Sequence, residues 1–177
     1  MDRRTEEYLN RLDASLQRLE TQLHAYSSEE LNRRPMPDQW SVMQVVNHLM
    51  MAETGSLNYL RKKLSTPSPM KKAGISAAFR TWFLNLSLSI TFIKYKAPAS
   101  VSEDKLPVVS DRDTVLQQWK TTRQELRSFL NTLPADLFDK EAYRHPRAGR
   151  MTMQQMLSFL ETHFNRHLNQ INRALSR

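Results

Sequence analysis

The chain has 177 residues, enough to bury the core of one domain, and we expect a single domain over residues 1–177. It contains no cysteine, which excludes disulfides, thiolate metal sites and cysteine nucleophiles. Its 26 lysines and arginines outnumber its 18 aspartates and glutamates, and the net charge of +8 suits an anionic small-molecule substrate. No long basic run or aromatic-rich strand accompanies that charge, so we do not expect nucleic-acid binding.

The predicted elements begin with two helices. Glycine occurs only three times and no segment alternates apolar and polar residues convincingly, so the sequence predicts an all-α protein. The first helix is predicted over residues 3–26, where leucines recur every three or four positions. After the link NRRPMPDQW, a second helix begins at Ser41, which forms a capping-box pattern with Gln44, and runs to about Leu64.

A third helix is predicted over residues 75–95, with apolar side chains on two faces. Arg80, Asn85 and five hydroxyl-bearing residues make this segment a poor membrane span, so we expect no membrane insertion. A helix that is apolar on two sides has to be covered twice, by its own bundle and by another subunit. We therefore expect a homodimer.

Two further helices complete the predicted architecture. A fourth helix is expected over residues 111–133, and the last helix begins at Thr152 with Gln155 as its capping-box partner. The long segment around the third helix separates the middle pair of bundle helices. The sequence therefore predicts an antiparallel four-helix bundle with one long crossover that carries an extra helix. The charged start of the chain, MDRRTEEYLNRLD, lacks the apolar core of a signal peptide, and together with the absence of cysteine this indicates a cytoplasmic protein.

Two histidines, His163 and His167, interrupt the apolar stripe of the last helix one turn apart, so their side chains share one inward face. His48 lies at an inward position of the second helix. Three imidazoles with open coordination positions are typical of a catalytic metal site. The spacing also allows an alternative, in which these are core histidines held by hydrogen bonds. Phe164 stands where a zinc-protease helix needs its glutamate, which excludes that class.

Two stretches carry a family resemblance. WSVMQVVNHLMMAE (residues 40–53) combines a tryptophan, a hydroxyl helix cap and a histidine–leucine pair, and HPRAGRMTMQQMLSFLETHFNRHLNQI (residues 145–171) combines His-Pro, a glycine, a threonine-capped helix and a closing HxxxH. In this order they resemble the DinB-like (YfiT-related) family of four-helix bundles. The resemblance implies that His48, His163 and His167 bind a divalent metal ion. Zinc, nickel, copper, iron and manganese are the candidate metals, since ligand type alone does not choose among them.

The same resemblance implies a metal-dependent enzyme. Family members include transferases that add bacillithiol, mycothiol or glutathione to electrophiles, so the first hypothesis is a low-molecular-weight-thiol S-transferase in detoxification or stress response. A thiol-dependent isomerase belongs to the same group. The alternatives are a hydrolase, in which the metal activates water, and a non-enzymatic metal-stabilised stress or binding protein. Three residues before the last helix are candidates for binding an anionic thiol cosubstrate: Arg144, Arg147 and Arg150.

Four other polar residues are of interest near the predicted ligands. Gln44 lies one turn before His48 and is a candidate to orient an imidazole, and Glu53 could reach the rim of the site, although both also fit as ordinary polar groups of a helix. His145 is expected to belong to the turn before the last helix, with a place at the pocket rim as the alternative. His24, near a helix end, is given no function.

Overall fold

The computed structural model describes residues 2–66, 69–72, 74, 105–146 and 148–176. In this part of the chain, no helix is long and apolar enough to cross a membrane. The described residues form five α-helices, one 3-10 turn and one β-hairpin: α1 (Arg3–Leu23), α2 (Ser28–Asn32), α3 (Val42–Leu64), α4 (Arg112–Asn131), the 3-10 turn (Ala135–Leu137), β1 (Tyr143–His145), β2 (Gly149–Met151) and α5 (Met153–Leu175).

Each long helix begins at a side chain that caps its first turn. Ser41 accepts the backbone N–H of Gln44, while the Gln44 side chain accepts the backbone N–H of Ser41. Thr152 and Gln155 form the same reciprocal pair at the start of α5. Both predicted capping boxes are confirmed. Helices α1 and α4 each begin behind an aspartate that accepts one backbone N–H in the same way.

Helix α2, the 3-10 turn and the hairpin were not predicted. Helix α2 starts with its own capping box, between Ser27 and Glu30. Strands β1 and β2 pair antiparallel with Tyr143 opposite Met151, and Gly149 adopts a φ of 74° where the hairpin turn re-enters β2. Glycine suits that position because a Cβ would crowd the backbone in the left-handed region. The predicted third helix, residues 75–95, lies outside the described residues.

The four long helices pack as a bundle in which α3 contacts both α4 and α5, and α1 contacts α5 and α4. Two ion pairs show that α3 and α4 run in the same direction. Glu53 pairs with Arg123, and further along both helices Arg61 pairs with Glu125. An ion pair and two hydrogen bonds, one of them to the Asp2 cap of α1, join α1 and α5 at successive positions along both helices and show that these two helices are also parallel to each other. The chain must therefore return to the opposite end of the bundle between α3 and α4. This is the long crossover, and the predicted all-α class is confirmed.

Among the described residues, the core consists of two apolar clusters, and a buried ion pair forms an additional link between three helices. Arg123 donates two hydrogen bonds to the Glu53 carboxylate, at 2.9 and 2.8 Å, and a third to the carbonyl of Leu12. Its guanidinium also lies over the Trp119 ring, 5.1 Å from the centroid. Both charged side chains are almost fully buried, with 4% and 3% of their surface exposed. The pair therefore ties α1, α3 and α4 together inside the bundle.

Candidate metal centre

The three histidines predicted as ligands meet between α3 and α5. His48 lies in the second turn of α3, and His163 and His167 are one turn apart in α5. The Nε2 atoms of His48 and His163 are 3.2 Å apart. Each of the three residues offers one ring nitrogen to a group whose atoms all lie within 4.8 Å of one another. This group could hold a metal ion.

The spacing of the nitrogens fits a first-row transition metal. Imidazole nitrogens bind zinc at about 2.0–2.1 Å, so two of them at a tetrahedral angle are about 3.3 Å apart. The Nε2 atoms of His48 and His163, at 3.2 Å, already have that separation. The same distance suits a hydrogen bond between two neutral imidazoles, in which one ring donates and the other accepts. The pair is therefore compatible with both a metal-bound and a metal-free chain.

The electrostatics of the site keep the imidazoles of His163 and His167 neutral. Burial lowers the pKa of His163 well below its ordinary value, and the neighbouring rings of His167 and His48 lower it further. Burial also lowers the pKa of His167, to about 3, with a further contribution from His48. A neutral imidazole has a lone pair for a metal ion, whereas a protonated one has none. At neutral pH both residues are therefore ready to act as ligands.

One ligand is oriented by a hydrogen bond. The Nδ1 atom of His167 lies 2.9 Å from Oε1 of Gln170. Since an amide oxygen can only accept, Nδ1 carries the proton and Nε2 is the atom left for a metal ion. Sequence reasoning missed Gln170. The signal was available, because a residue three positions after His167 lies next to it on the same helix face.

Aromatic rings flank the other two ligands. The Trp40 ring lies 5.1 Å from the ring of His48, at an angle of 53°. Phe159 lies one turn before His163, and their rings are stacked at 5.3 Å and 15°. These apolar rings reduce the access of water to the ligand imidazoles.

The side chains of the two helix residues considered as supporting groups form hydrogen bonds elsewhere in the fold. Gln44 uses its side chain in the capping box of α3, and Glu53 accepts hydrogen bonds from Arg123 in the bundle core. Both have structural roles. For Glu53 that role is a buried ion pair, which spacing along α3 alone could not indicate because Arg123 lies on another helix.

The hairpin before α5 separates its inward and outward side chains. Arg144 and Arg150 are opposite each other in the strand register, and both are exposed. His145 faces inward and is buried, and its Nδ1 accepts the backbone N–H of Ala148 at 3.1 Å, so it belongs to the turn as expected. Arg147 lies outside the described residues. The binding of an anionic cosubstrate by these arginines stays a prediction.

Comparison with known proteins places this chain in one family. The sequence profile of the DinB superfamily matches residues 11–171. The chain belongs to the DinB superfamily. It is also similar to the uncharacterized protein YuaE of Bacillus subtilis (strain 168), with 25% identity over 156 residues that cover 87% of this chain and 90% of the relative. No solved structure matches the sequence.

Proposed function

We propose that this DinB superfamily member is a metal-dependent enzyme that transfers a low-molecular-weight thiol to an electrophilic small molecule, with a role in detoxification or stress response. In this proposal, His48, His163 and His167 bind one divalent metal ion. The observation that carries it is the convergence of ring nitrogens from two helices, with two Nε2 atoms 3.2 Å apart and all three ligand atoms within 4.8 Å. The two segments that contain these histidines resemble the DinB-like family, and that resemblance implies the same three metal ligands.

The exposure of the three histidines supports a working site. His48 is buried, with 4% of its surface exposed, whereas His163 and His167 are only partly buried. Part of the surface of these two ligands is therefore accessible to solvent. A divalent ion held by three neutral imidazoles keeps its full positive charge and lowers the pKa of a thiol or water that binds to it.

The residues of the chain supply orientation and a partly dry environment. Gln170 fixes the ring of His167, and Trp40 and Phe159 cover the sides of the other two imidazoles. The chain has no cysteine, so in a thiol transfer the thiol belongs to the cosubstrate. The net charge of +8 favours an anionic thiol, and Arg144, Arg147 and Arg150 are the proposed contacts for its carboxylates.

Two alternatives use the same three histidines. In a hydrolase the activated group is water instead of a thiol. In a non-enzymatic stress or binding protein, the ion only stabilises the fold. The second alternative has a specific observation in its favour, since the ligands belong to α3 and α5 and a bound ion would link two helices of the bundle.

Metal binding is tested first. The purified chain is stripped with chelator and titrated with zinc, nickel, manganese and ferrous ions, alongside His48→Ala and the exposed-histidine control His24→Ala. We expect one ion per chain for the wild type and for His24→Ala, and loss of binding in His48→Ala. Equal metal binding by all three proteins would contradict the proposed ligand set.

The reaction is tested on the loaded protein. Bacillithiol, mycothiol and glutathione are each incubated with a chromogenic electrophile, and hydrolysis of activated esters and amides is measured in parallel. We expect metal-dependent conjugation with at least one thiol, lost in His163→Ala and kept in His24→Ala. Hydrolysis without conjugation would select the hydrolase, and metal-dependent stability without either activity would select the binding protein.

Two further proposals come from the sequence. We propose that the chain forms a homodimer through the segment 75–95, and that it acts in the cytoplasm. Light scattering of the purified protein measures the first, with a charged substitution of Ile90 expected to yield monomers. Cell fractionation measures the second.

A further inference from the structure

The three ligand histidines are not oriented in the same way. A metal-binding imidazole usually donates its second ring N–H to an oxygen, which fixes the ring. His167 has such a partner in Gln170. For His163, the hydrogen bond seen among the described residues joins its Nε2 to His48. Its Nδ1 is therefore not oriented by a hydrogen bond to an oxygen of the described residues.

The ring of His163 is instead held by a flat contact. Phe159 is one helical turn earlier in α5, and its ring lies parallel to the imidazole within 15°, with the centroids 5.3 Å apart. This is the offset stacked arrangement that aromatic rings prefer. The last torsion of a histidine side chain has a broad energy minimum, so an imidazole without a contact can rotate easily. The stacked phenyl ring limits that rotation because a turned imidazole would collide with it.

The phenyl ring has a second neighbour on the hairpin. The ring of His145 meets Phe159 at 62° with the centroids 4.5 Å apart. His145 is itself anchored, since it is 8% exposed and its Nδ1 accepts the backbone N–H of Ala148 at 3.1 Å. The hairpin that carries it closes at Gly149. Three rings therefore form a continuous series from the hairpin to the metal site.

We infer that His145 and Phe159 are positioning residues for the metal ligand His163, and that the series of ring contacts from His145 through Phe159 to His163 replaces the hydrogen bond that orients a ligand imidazole elsewhere. This inference rests on the proposed metal site. Its consequence is that metal affinity depends on a hairpin that supplies none of the three ligands. Phe159 sets the plane of the imidazole, and His145 keeps Phe159 in place.

The experiment separates this role from a general contribution to stability. Phe159→Leu keeps an apolar side chain of similar size but removes the flat ring. His145→Asn keeps a side-chain acceptor near the position of Nδ1 for the N–H of Ala148 but removes the ring contact with Phe159. Phe138→Leu is the matched control, because Phe138 is 5% exposed and belongs to the same apolar cluster as Phe159. His24→Ala controls for the loss of a histidine.

Two measurements are made on each protein. The Kd for zinc is obtained by competition with a chromophoric chelator, and the side-chain proton signals of His163 are recorded by NMR in the metal-free protein. We expect the Kd to rise about tenfold or more in Phe159→Leu and in His145→Asn, the range typical for loss of a group that orients a ligand. The ring-current shift of His163 should fall in the same two variants. Both controls should keep the wild-type Kd and shift, even if Phe138→Leu lowers the melting temperature.

The outcomes separate the two proposals. A wild-type chain that binds zinc, with a Kd unchanged in Phe159→Leu and His145→Asn, overturns the positioning role and leaves the metal site standing. A Kd that rises as much in Phe138→Leu as in Phe159→Leu also overturns it, because general loss of packing would then explain the effect. A wild-type chain that binds no metal overturns the proposed function and the positioning role together.

Discussion

The stability of the metal-free protein should fall between pH 7 and pH 5 because of the histidines that form the candidate site. In the folded chain the pKa of His167 is lowered from 6.5 to about 3, and that of His163 is also lowered well below 6.5, in both cases mainly by burial. In the unfolded chain both imidazoles regain their ordinary pKa. Below pH 6.5 the unfolded chain therefore binds protons that the folded chain does not, and lowering the pH favours unfolding.

The size of this loss of stability follows from the lowered pKa of His167. While the pH lies between the folded and the unfolded pKa, one such group lowers the free energy of unfolding by about 1.4 kcal/mol per pH unit. From pH 7 to pH 5 this amounts to about 2 kcal/mol at most. Because His167 is partly exposed, solvent screening reduces it, and we expect about 1–2 kcal/mol. For a chain of this size that is a decrease of about 2–8 °C in melting temperature.

The pH window isolates the histidines from the acidic groups. The carboxylates with lowered pKa, such as Asp2 and Asp111, start from ordinary values of 3.8, so their contribution to stability is lost only at lower pH. Urea unfolding of the chelator-treated protein at pH 7 and pH 5 measures the difference. His167→Leu, which places the expected apolar residue in the stripe of α5, should show a smaller pH dependence than the wild type, while His24→Leu should not. The reasoning is refuted if His167→Leu keeps the full pH dependence of the wild type.

Three other predictions concern the metal, the buried ion pair and the ring of His167. Zinc at 100 times its Kd should raise the free energy of unfolding by about 2.7 kcal/mol, so the melting temperature should rise by about 5–10 °C. Scanning calorimetry measures this rise, which should be absent in His48→Ala. Arg123→Met leaves the Glu53 carboxylate buried without its partner and should lower the free energy of unfolding by about 3–5 kcal/mol, measured by urea unfolding. Arg123→Met combined with Glu53→Leu should recover most of that loss, and equal losses in the single and double variants would contradict this. Gln170→Leu removes the hydrogen bond to His167 and should raise the Kd for zinc about 10–100-fold, and an unchanged Kd in a chelator competition assay would argue against an orienting role.

The elements that the sequence predicts well are those set by local chemistry. The capping boxes at Ser41 and Thr152 depend on a hydroxyl and an amide three residues apart, so they can be recognised without knowing what the helix packs against. The shared face of His163 and His167 follows from the helical repeat alone. Helix α2 has a capping box too, but five residues are too few to show an apolar repeat, and it was missed.

Contacts between residues far apart in the sequence could not be predicted from local patterns. Arg123 and Glu53 are 70 residues apart in the chain, and no local pattern shows that a charged residue on one helix meets its counterion inside the bundle. The hairpin was missed for a related reason, since two strands of three residues are too short for a visible alternation. The pairing of the two strands is evident only in the folded structure, where Gly149 adopts a left-handed backbone conformation and closes the turn.

The sequence by itself determined the four long helices of the described chain, the capping boxes at Ser41 and Thr152 and the all-α class, because each of these depends on residues within a few turns of one another. It singled out the three histidines by their inward helical positions and by the family resemblance. Only the tertiary structure decided that the Nε2 atoms of His48 and His163 lie 3.2 Å apart, that the ring of His145 in the hairpin meets the ring of Phe159 in α5, and that α3 runs parallel to α4. Those features depend on how the helices pack, and helix packing is set by the whole apolar surface of the bundle. The segment of α5 that contains HxxxH was therefore identifiable as a candidate ligand helix, while the arrangement that makes it a candidate site required the fold.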